Sequence, residues 1–73
     1  MHEAALNEPV YHSDTHAVIW RERHVDWPYL VVRLTDGVEG QFSDLRGALV
    51  WAEGVASVKE LSAHARNVLR RLG

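Results

Sequence analysis

The chain has 73 residues, of which 47% are apolar and 25% are charged, and it contains no cysteine. This length accommodates a single domain, and the composition excludes intrinsic disorder, a disulfide framework and a membrane-spanning segment. The formal net charge of −2 is unevenly distributed, because residues 57–73 carry four basic side chains and one acidic side chain. A domain this small buries only roughly 60% of its unfolded surface, so we expect a protein partner or a homodimer. Without cysteine or a signal peptide, a cytoplasmic location is expected.

The N-terminal half of the chain predicts an arm followed by two strands. Residues 1–14 are mostly polar and follow no period, so they predict a loosely ordered arm with a short strand near Val10-Tyr11. A single domain is expected over residues 15–73. Its first strand, over residues 16–22, is rich in β-branched and aromatic side chains. The second strand, over residues 29–34, follows a proline that cannot donate to a sheet.

The second and third strands are predicted to form a hairpin. A two-residue loop at Asp36-Gly37 would place apolar and polar side chains on one face, whereas a three-residue loop that adds Thr35 makes that face apolar. Gly40 then leaves room for a large side chain, Trp20 or Trp51, to lie across the sheet. The predicted core residues of this hairpin are Leu30, Val32, Leu34, Val38 and Phe42.

Two helices are predicted after the hairpin. The first is capped by Ser43 or Asp44 and ends at Gly54, and its apolar stripe comprises Leu45, Ala48, Leu49 and Ala52. A capping box formed by Ser57 and Glu60 begins the second, whose stripe comprises Val58, Leu61, Ala65, Val68 and Leu72. The predicted fold is therefore α+β, with a three-stranded antiparallel β-meander followed by two α-helices packed on one sheet face.

The aromatic residues predict an interaction surface. Three tryptophans are more than so small a core easily covers, and tryptophan anchors many protein interfaces. The outer face of the predicted sheet is only half polar, and it adjoins edges that contain tryptophan. We therefore expect a small non-enzymatic interaction or regulatory module that binds a protein partner or itself. Its predicted partner-binding residues are Trp20, Trp27, Tyr29, Val31, Arg33 and Trp51.

Few residues could carry catalysis or bind a metal. Each serine and threonine has a role at a turn, a cap or a helix surface, and no glycine-rich phosphate loop is present. We therefore predict no catalytic residue, no enzyme activity and no cofactor. His12, Asp14 and His16 stand two residues apart, so an extended chain would place three potential ligands of a divalent metal on one side. They support an alternative, a small metal- or ligand-binding accessory protein.

The C-terminal segment supports another alternative, a nucleic-acid-binding regulator. Gly54 and the serine at position 57 resemble a helix-turn-helix, although the serine follows the glycine by three residues instead of two. Basic side chains near a helix end also stabilise its carbonyl groups, which is a purely structural role. The predicted nucleic-acid-binding residues are Lys59, Arg66, Arg70 and Arg71.

Two family resemblances accompany these patterns. The strand over residues 16–21 and the helix containing Ala48-Leu49-x-x-Ala52 resemble HicB-like antitoxins over residues 16–56, with Gly47 in place of that family's glutamate. The segment from Tyr29 through Asp36-Gly37 and Gly40 to Asp44-Leu45 is similar to an uncharacterised family of small bacterial strand–Asp-Gly–strand domains. Both resemblances imply a small bacterial regulatory or accessory protein that binds another macromolecule.

Overall fold

The structure, a computed structural model, describes residues 9–72 and has an α+β fold. Four antiparallel strands form one sheet in the order β1-β2-β3-β4. The strands are β1 (Tyr11–His12), β2 (His16–Trp20), β3 (Tyr29–Arg33) and β4 (Glu39–Phe42), and the helices are α1 (Leu45–Glu53), a single 3₁₀ turn (Val58–Glu60) and α2 (Ala63–Leu72). Neither described α-helix is long and apolar enough to cross a membrane.

The sheet has one strand more than the meander predicted from the sequence. Tyr11 pairs with Val18 and His12 with Ala17, which makes β1 the edge strand beside β2. The turn between them is held by Ser13, whose backbone N–H donates to the carbonyl of His16 at 2.9 Å. A short strand was predicted near Val10-Tyr11, and β1 lies at that place. The rest of the predicted arm, residues 1–8, lies outside the described residues.

The core lies between the helices and one face of the sheet. Val18 and Val31 are paired on neighbouring strands, and both are fully buried beneath the helices. The helices contribute Leu49 and Val68, and Leu61 from the segment between them completes the layer. Because both helices pack on this side, the described part of the chain has two layers, helices on sheet, and neither helix covers the other sheet face.

The predicted hairpin register is wrong by one residue. Gly40 pairs with Val31 instead of Val32, so the loop has four residues, 34–37. One hydrogen bond closes this longer loop: the Gly37 N–H donates to the Arg33 carbonyl at 2.7 Å, and Gly37 adopts the left-handed φ of 76° that the turn requires. The shift moves Val31, with Tyr29 and Arg33, to the helix side.

The predicted hairpin core changes accordingly. Phe42 still packs against the core, whereas Leu30 and Val32 lie half-buried on the uncovered side. Leu34 and Val38, at the hairpin end, are 48% and 43% exposed. The prediction of a core face made of all five residues is therefore wrong, because it followed from the shorter loop.

The first helix agrees with its sequence pattern. The Asp44 carboxylate accepts a hydrogen bond from the Gly47 N–H at 2.9 Å, and Gly54 ends the helix with φ 66°. The predicted stripe residues are all buried: Leu45, Ala48, Leu49 and Ala52. Trp51 lies over Gly40, where the sequence predicted that a large side chain would fit.

The second helix begins later than predicted. Ser57 makes no side-chain cap bond, and the chain forms one 3₁₀ turn before Leu61, which is buried with extended backbone. Ser62 is the residue that caps α2, because its hydroxyl accepts from the Ala65 N–H at 3.1 Å. Residues 54–62 therefore separate α1 from α2, which is longer than the three- or four-residue turn of a helix-turn-helix. The predicted helix-turn-helix geometry is wrong.

Candidate functional site

The most prominent surface is the side of the sheet that the helices leave uncovered, which we call the open face. Strand pairing aligns Ala17 with Val32 and Ile19 with Leu30 on this side. Ile19, Leu30 and Val32 are only half-buried, because neither helix covers them. The apolar part of the open face comprises Ala17, Ile19, Leu30 and Val32.

Polar groups of the open face lie at its rim. Gln41 and Glu39, on β4, pair with Leu30 and Val32 and therefore point to the same side. Arg21 extends across the sheet, where its Nη2 donates to Gln41 Oε1 at 2.9 Å and to the Trp27 carbonyl at 2.7 Å. Its Nε is buried and has no acceptor within residues 9–72. These contacts hold the guanidinium beside Gln41, two residues along β4 from Glu39.

The predicted partner-binding residues do not form one surface. The placement of Val31 on an outer face is wrong, because the register puts it under the helices with no exposed area. Trp20 and Tyr29 line a groove of about 300 Å³ with Val10 and Leu72.

The other two tryptophans lie elsewhere. Trp27, in the loop between β2 and β3, is 53% exposed. Trp51 is 37% exposed and lines a cleft of about 770 Å³ between α1 and the hairpin end of the sheet. Tryptophan is thus spread over three separate places, so the predicted Trp-containing patch is not continuous.

The cleft beside Trp51 contains the main polar and aromatic cluster. The His16 ring packs edge-on against Trp51 with centroids 5.5 Å apart, and its Nδ1 is 2.8 Å from the Thr15 hydroxyl. Arg33 pairs with Asp36 at 2.9 Å, and this hydrogen bond is the main cause of the lowered pKa of Asp36. A hydrogen bond from the Val38 amide lowers the pKa of Asp36 further. The same pairing raises the pKa of Arg33. Each of these groups is engaged by a neighbour, so the cluster stabilises the turns at this end of the sheet.

Glu53 joins three elements and was not singled out from the sequence. Its carboxylate accepts from the Tyr11 hydroxyl at 2.7 Å, and from the Ser62 N–H at 2.8 Å and hydroxyl at 2.7 Å. Burial raises the pKa of Glu53, but the hydrogen bonds from Ser62 and Tyr11 and the nearby His64 outweigh it and lower that pKa overall. Burial, with the Glu53 contact, raises the pKa of Tyr11 to about 12. Glu53 therefore connects β1 and the start of α2 to α1.

The candidate metal ligands are not brought together. The extended geometry assumed for them is wrong, because the chain turns between β1 and β2. Pairing with Ala17 directs His12 to the open-face side, whereas His16 lies in the cleft on the helix side. Within residues 9–72, no group of three or more metal-ligating side chains is found.

The predicted nucleic-acid-binding residues are exposed around α2. Arg66 donates from Nε to the Leu61 carbonyl at 3.0 Å and from Nη2 to the Lys59 carbonyl at 3.1 Å, so it also holds the 3₁₀ turn. Arg70 hydrogen-bonds Asn67. A groove of about 500 Å³ follows this side of the helix and is lined by Ala63, Arg66, Asn67 and Arg70. Lys59 and Arg71 are exposed near it in sequence.

Sequence reasoning missed the open face because it assigned the opposite side of β3 to solvent. No local signal identified the longer loop, because an Asp-Gly turn suits loops of either length. Comparisons of the chain with protein-family models, with curated proteins and with solved structures find no significant match. What the protein does must therefore be inferred from its residues and their geometry.

Proposed function

We propose that the protein is a non-enzymatic interaction module that binds a protein partner through the open face. One observation carries this proposal: both helices pack on the same side of the sheet, so that no other element within residues 9–72 covers Ile19, Leu30 and Val32. An antiparallel sheet can have one face in water, but that face then normally alternates to polar residues. Here the two central strands present apolar side chains on both sides.

The composition of the open face agrees with a binding surface. Its apolar residues lie on β2 and β3, which have five residues each and cover roughly 160 Å² at about 3.4 Å per residue and about 4.8 Å between strands. The polar rim of Arg21, Glu39 and Gln41 matches the usual anatomy of an interface, in which an apolar centre is surrounded by polar groups. The resemblance to HicB-like antitoxins, which implies binding to another macromolecule, also supports this function.

Site-specific photo-crosslinking in cells tests the proposal. Leu30, at the centre of the open face, is replaced by a photoreactive benzoylphenylalanine, and the matched control carries it at Val25, which is 89% exposed in a loop. We expect crosslinks to discrete protein species from position 30 and not from position 25. If the two positions give the same adducts, or position 30 gives none, the open face is not a docking surface.

A second candidate function is binding of nucleic acid or another acidic partner by α2. The observation that favours it is that α2 carries Arg66, Arg70 and Arg71 and no acidic residue. Phosphate contacts predict affinity that falls steeply with salt. A variant with Arg70→Ala and Arg71→Ala should weaken binding to DNA, whereas Arg46→Ala on the exposed side of α1 should not. Equal affinities of these two variants and the wild type would eliminate this function.

A further inference from the structure

The outer edge of β4 presents backbone groups that β3 does not use. The Arg33 N–H donates to the Val38 carbonyl at 2.8 Å, so Val38 faces β3. Backbone direction alternates along a strand, and Gly40 and Phe42 therefore also face β3. The N–H and C=O groups of Glu39 and Gln41 consequently point away from the sheet. Within residues 9–72, β3 is the only strand that pairs with β4.

This edge is self-complementary about Gly40. If two β4 strands pair antiparallel with Gly40 opposite its copy, Glu39 of each chain lies opposite Gln41 of the other. The residues that meet are then the ones whose N–H and C=O groups point outward, so four backbone hydrogen bonds form. Pairing centred on Glu39 would instead place Gln41 opposite Gly37, whose N–H already donates to the Arg33 carbonyl. Gly40, which has no side chain, also permits the close Cα approach of a pair without hydrogen bonds.

The side chains fit the same arrangement. Directly opposite residues on paired strands have Cβ atoms about 5 Å apart. Glu39 of one copy would therefore lie beside Gln41 of the other. In each copy, Gln41 already accepts a hydrogen bond of 2.9 Å from its own chain's Arg21, so that Glu39 of each copy would meet Arg21 of the other. The dimer would thus have two symmetric Glu39–Arg21 ion pairs. On the helix side, Val38, which is 43% exposed, would meet Phe42 of the other copy.

We infer that two copies of this chain associate through β4 to form one continuous antiparallel sheet, with four strands from each copy. The occupant of the edge is a second copy because charge, hydrogen-bond direction and the apolar pair all match about one two-fold axis, as an isologous interface requires. The dimer would place two open faces side by side. This inference is independent of what binds to those faces.

Amide hydrogen exchange of the wild-type protein, measured by NMR across a dilution series, tests the inference. The amides of Glu39 and Gln41 should become protected as the concentration rises, in step with dimer formation measured by sedimentation equilibrium. The amides of Gly40 and Phe42 are internal controls, because they face β3 and should stay protected throughout. A chain that is monomeric at all concentrations, or a dimer in which Glu39 and Gln41 gain no protection, would overturn the inference.

Matched variants separate this edge from the open face. Gln41→Pro and Gln41→Thr both lose the contact with Arg21, but only Gln41→Pro lacks the N–H, so it should weaken dimerisation at least about tenfold more. If Gln41→Pro does not fold, Glu39→Arg provides the test: it should weaken the dimer, and adding Arg21→Glu should restore it. Association that these changes leave unaltered would refute the edge. Crosslinking from position 30 tests the open face and does not depend on β4 pairing. Refuting the β4 dimer would therefore leave the proposed function standing, and the reverse also holds.

Discussion

Glu53→Ala should cost about 2 kcal/mol of unfolding free energy, because Glu53 connects three elements. The carboxylate accepts hydrogen bonds from the Tyr11 hydroxyl and from two groups of Ser62. At about 1 kcal/mol each, their loss amounts to about 3 kcal/mol. Removing a negative charge from the C-terminal end of a helix and gaining alanine's helix propensity offset about 1 kcal/mol of that.

Urea unfolding followed by tryptophan fluorescence measures this change. With a slope near 1 kcal/mol per molar urea for a small domain, the midpoint should fall by about 2 M. Glu60→Ala is the matched control, since Glu60 is an exposed acidic residue in the neighbouring 3₁₀ turn. It should cost less than about 0.5 kcal/mol. Equal losses in the two variants would show that the contacts of Glu53 do not connect the elements.

The same residue predicts a pH dependence. Because the pKa of Glu53 is lower in the folded state than its ordinary value of 4.5, its contribution is fully present above pH 4.5. That contribution is lost as the pH falls through the lower, folded-state pKa. The stability difference between the wild type and Glu53→Ala should therefore narrow on acidification. A difference that is constant down to acid unfolding would contradict this interpretation.

Three further predictions concern ionisation, register and the helix end. Alkaline titration should show Tyr11 ionising near pH 12, and the stability it confers should decline as the pH rises from 10 towards 12, a decline that Tyr11→Phe abolishes. Thermal unfolding should show a loss of about 2 kcal/mol for Val31→Ala, which is buried, and less than about 0.5 kcal/mol for Leu34→Ala; the reverse order would support the shorter loop. Gly54→Ala should cost about 1 kcal/mol in urea unfolding, since position 54 has φ 66° but no atom near a new Cβ; an unchanged midpoint would contradict this.

The parts of the fold that the sequence predicts are those decided by neighbours in the chain. In α1, the cap at Asp44, the apolar stripe and the stop at Gly54 all follow from local spacing, and the structure confirms them. The start of α2 could not be predicted in this way. Ser62 begins the helix, and its amide and hydroxyl both bind Glu53, which belongs to the preceding helix. The capping box predicted at Ser57 does not form, because the contact between Ser62 and Glu53 fixes the helix start five residues later.

The hairpin shows how one loop residue decides which surface remains open. Helix α1 begins shortly after Phe42, and both Gly40 and Phe42 lie under it, near Gly47 and Trp51. Whichever side chains of β3 share a face with Gly40 must therefore be covered by the helix.

With a three-residue loop, those side chains would be Leu30, Val32 and Leu34, and the open face would carry Tyr29 and Arg33. In the observed four-residue loop, Arg33 pairs with Asp36, and Leu30 and Val32 lie on the open face instead. An exposed ion pair in a turn adds little to stability, but the register it accompanies leaves the most apolar side of β3 uncovered. A partner bound to the open face, as proposed above, would cover the side chains that α1 would cover if the loop were one residue shorter.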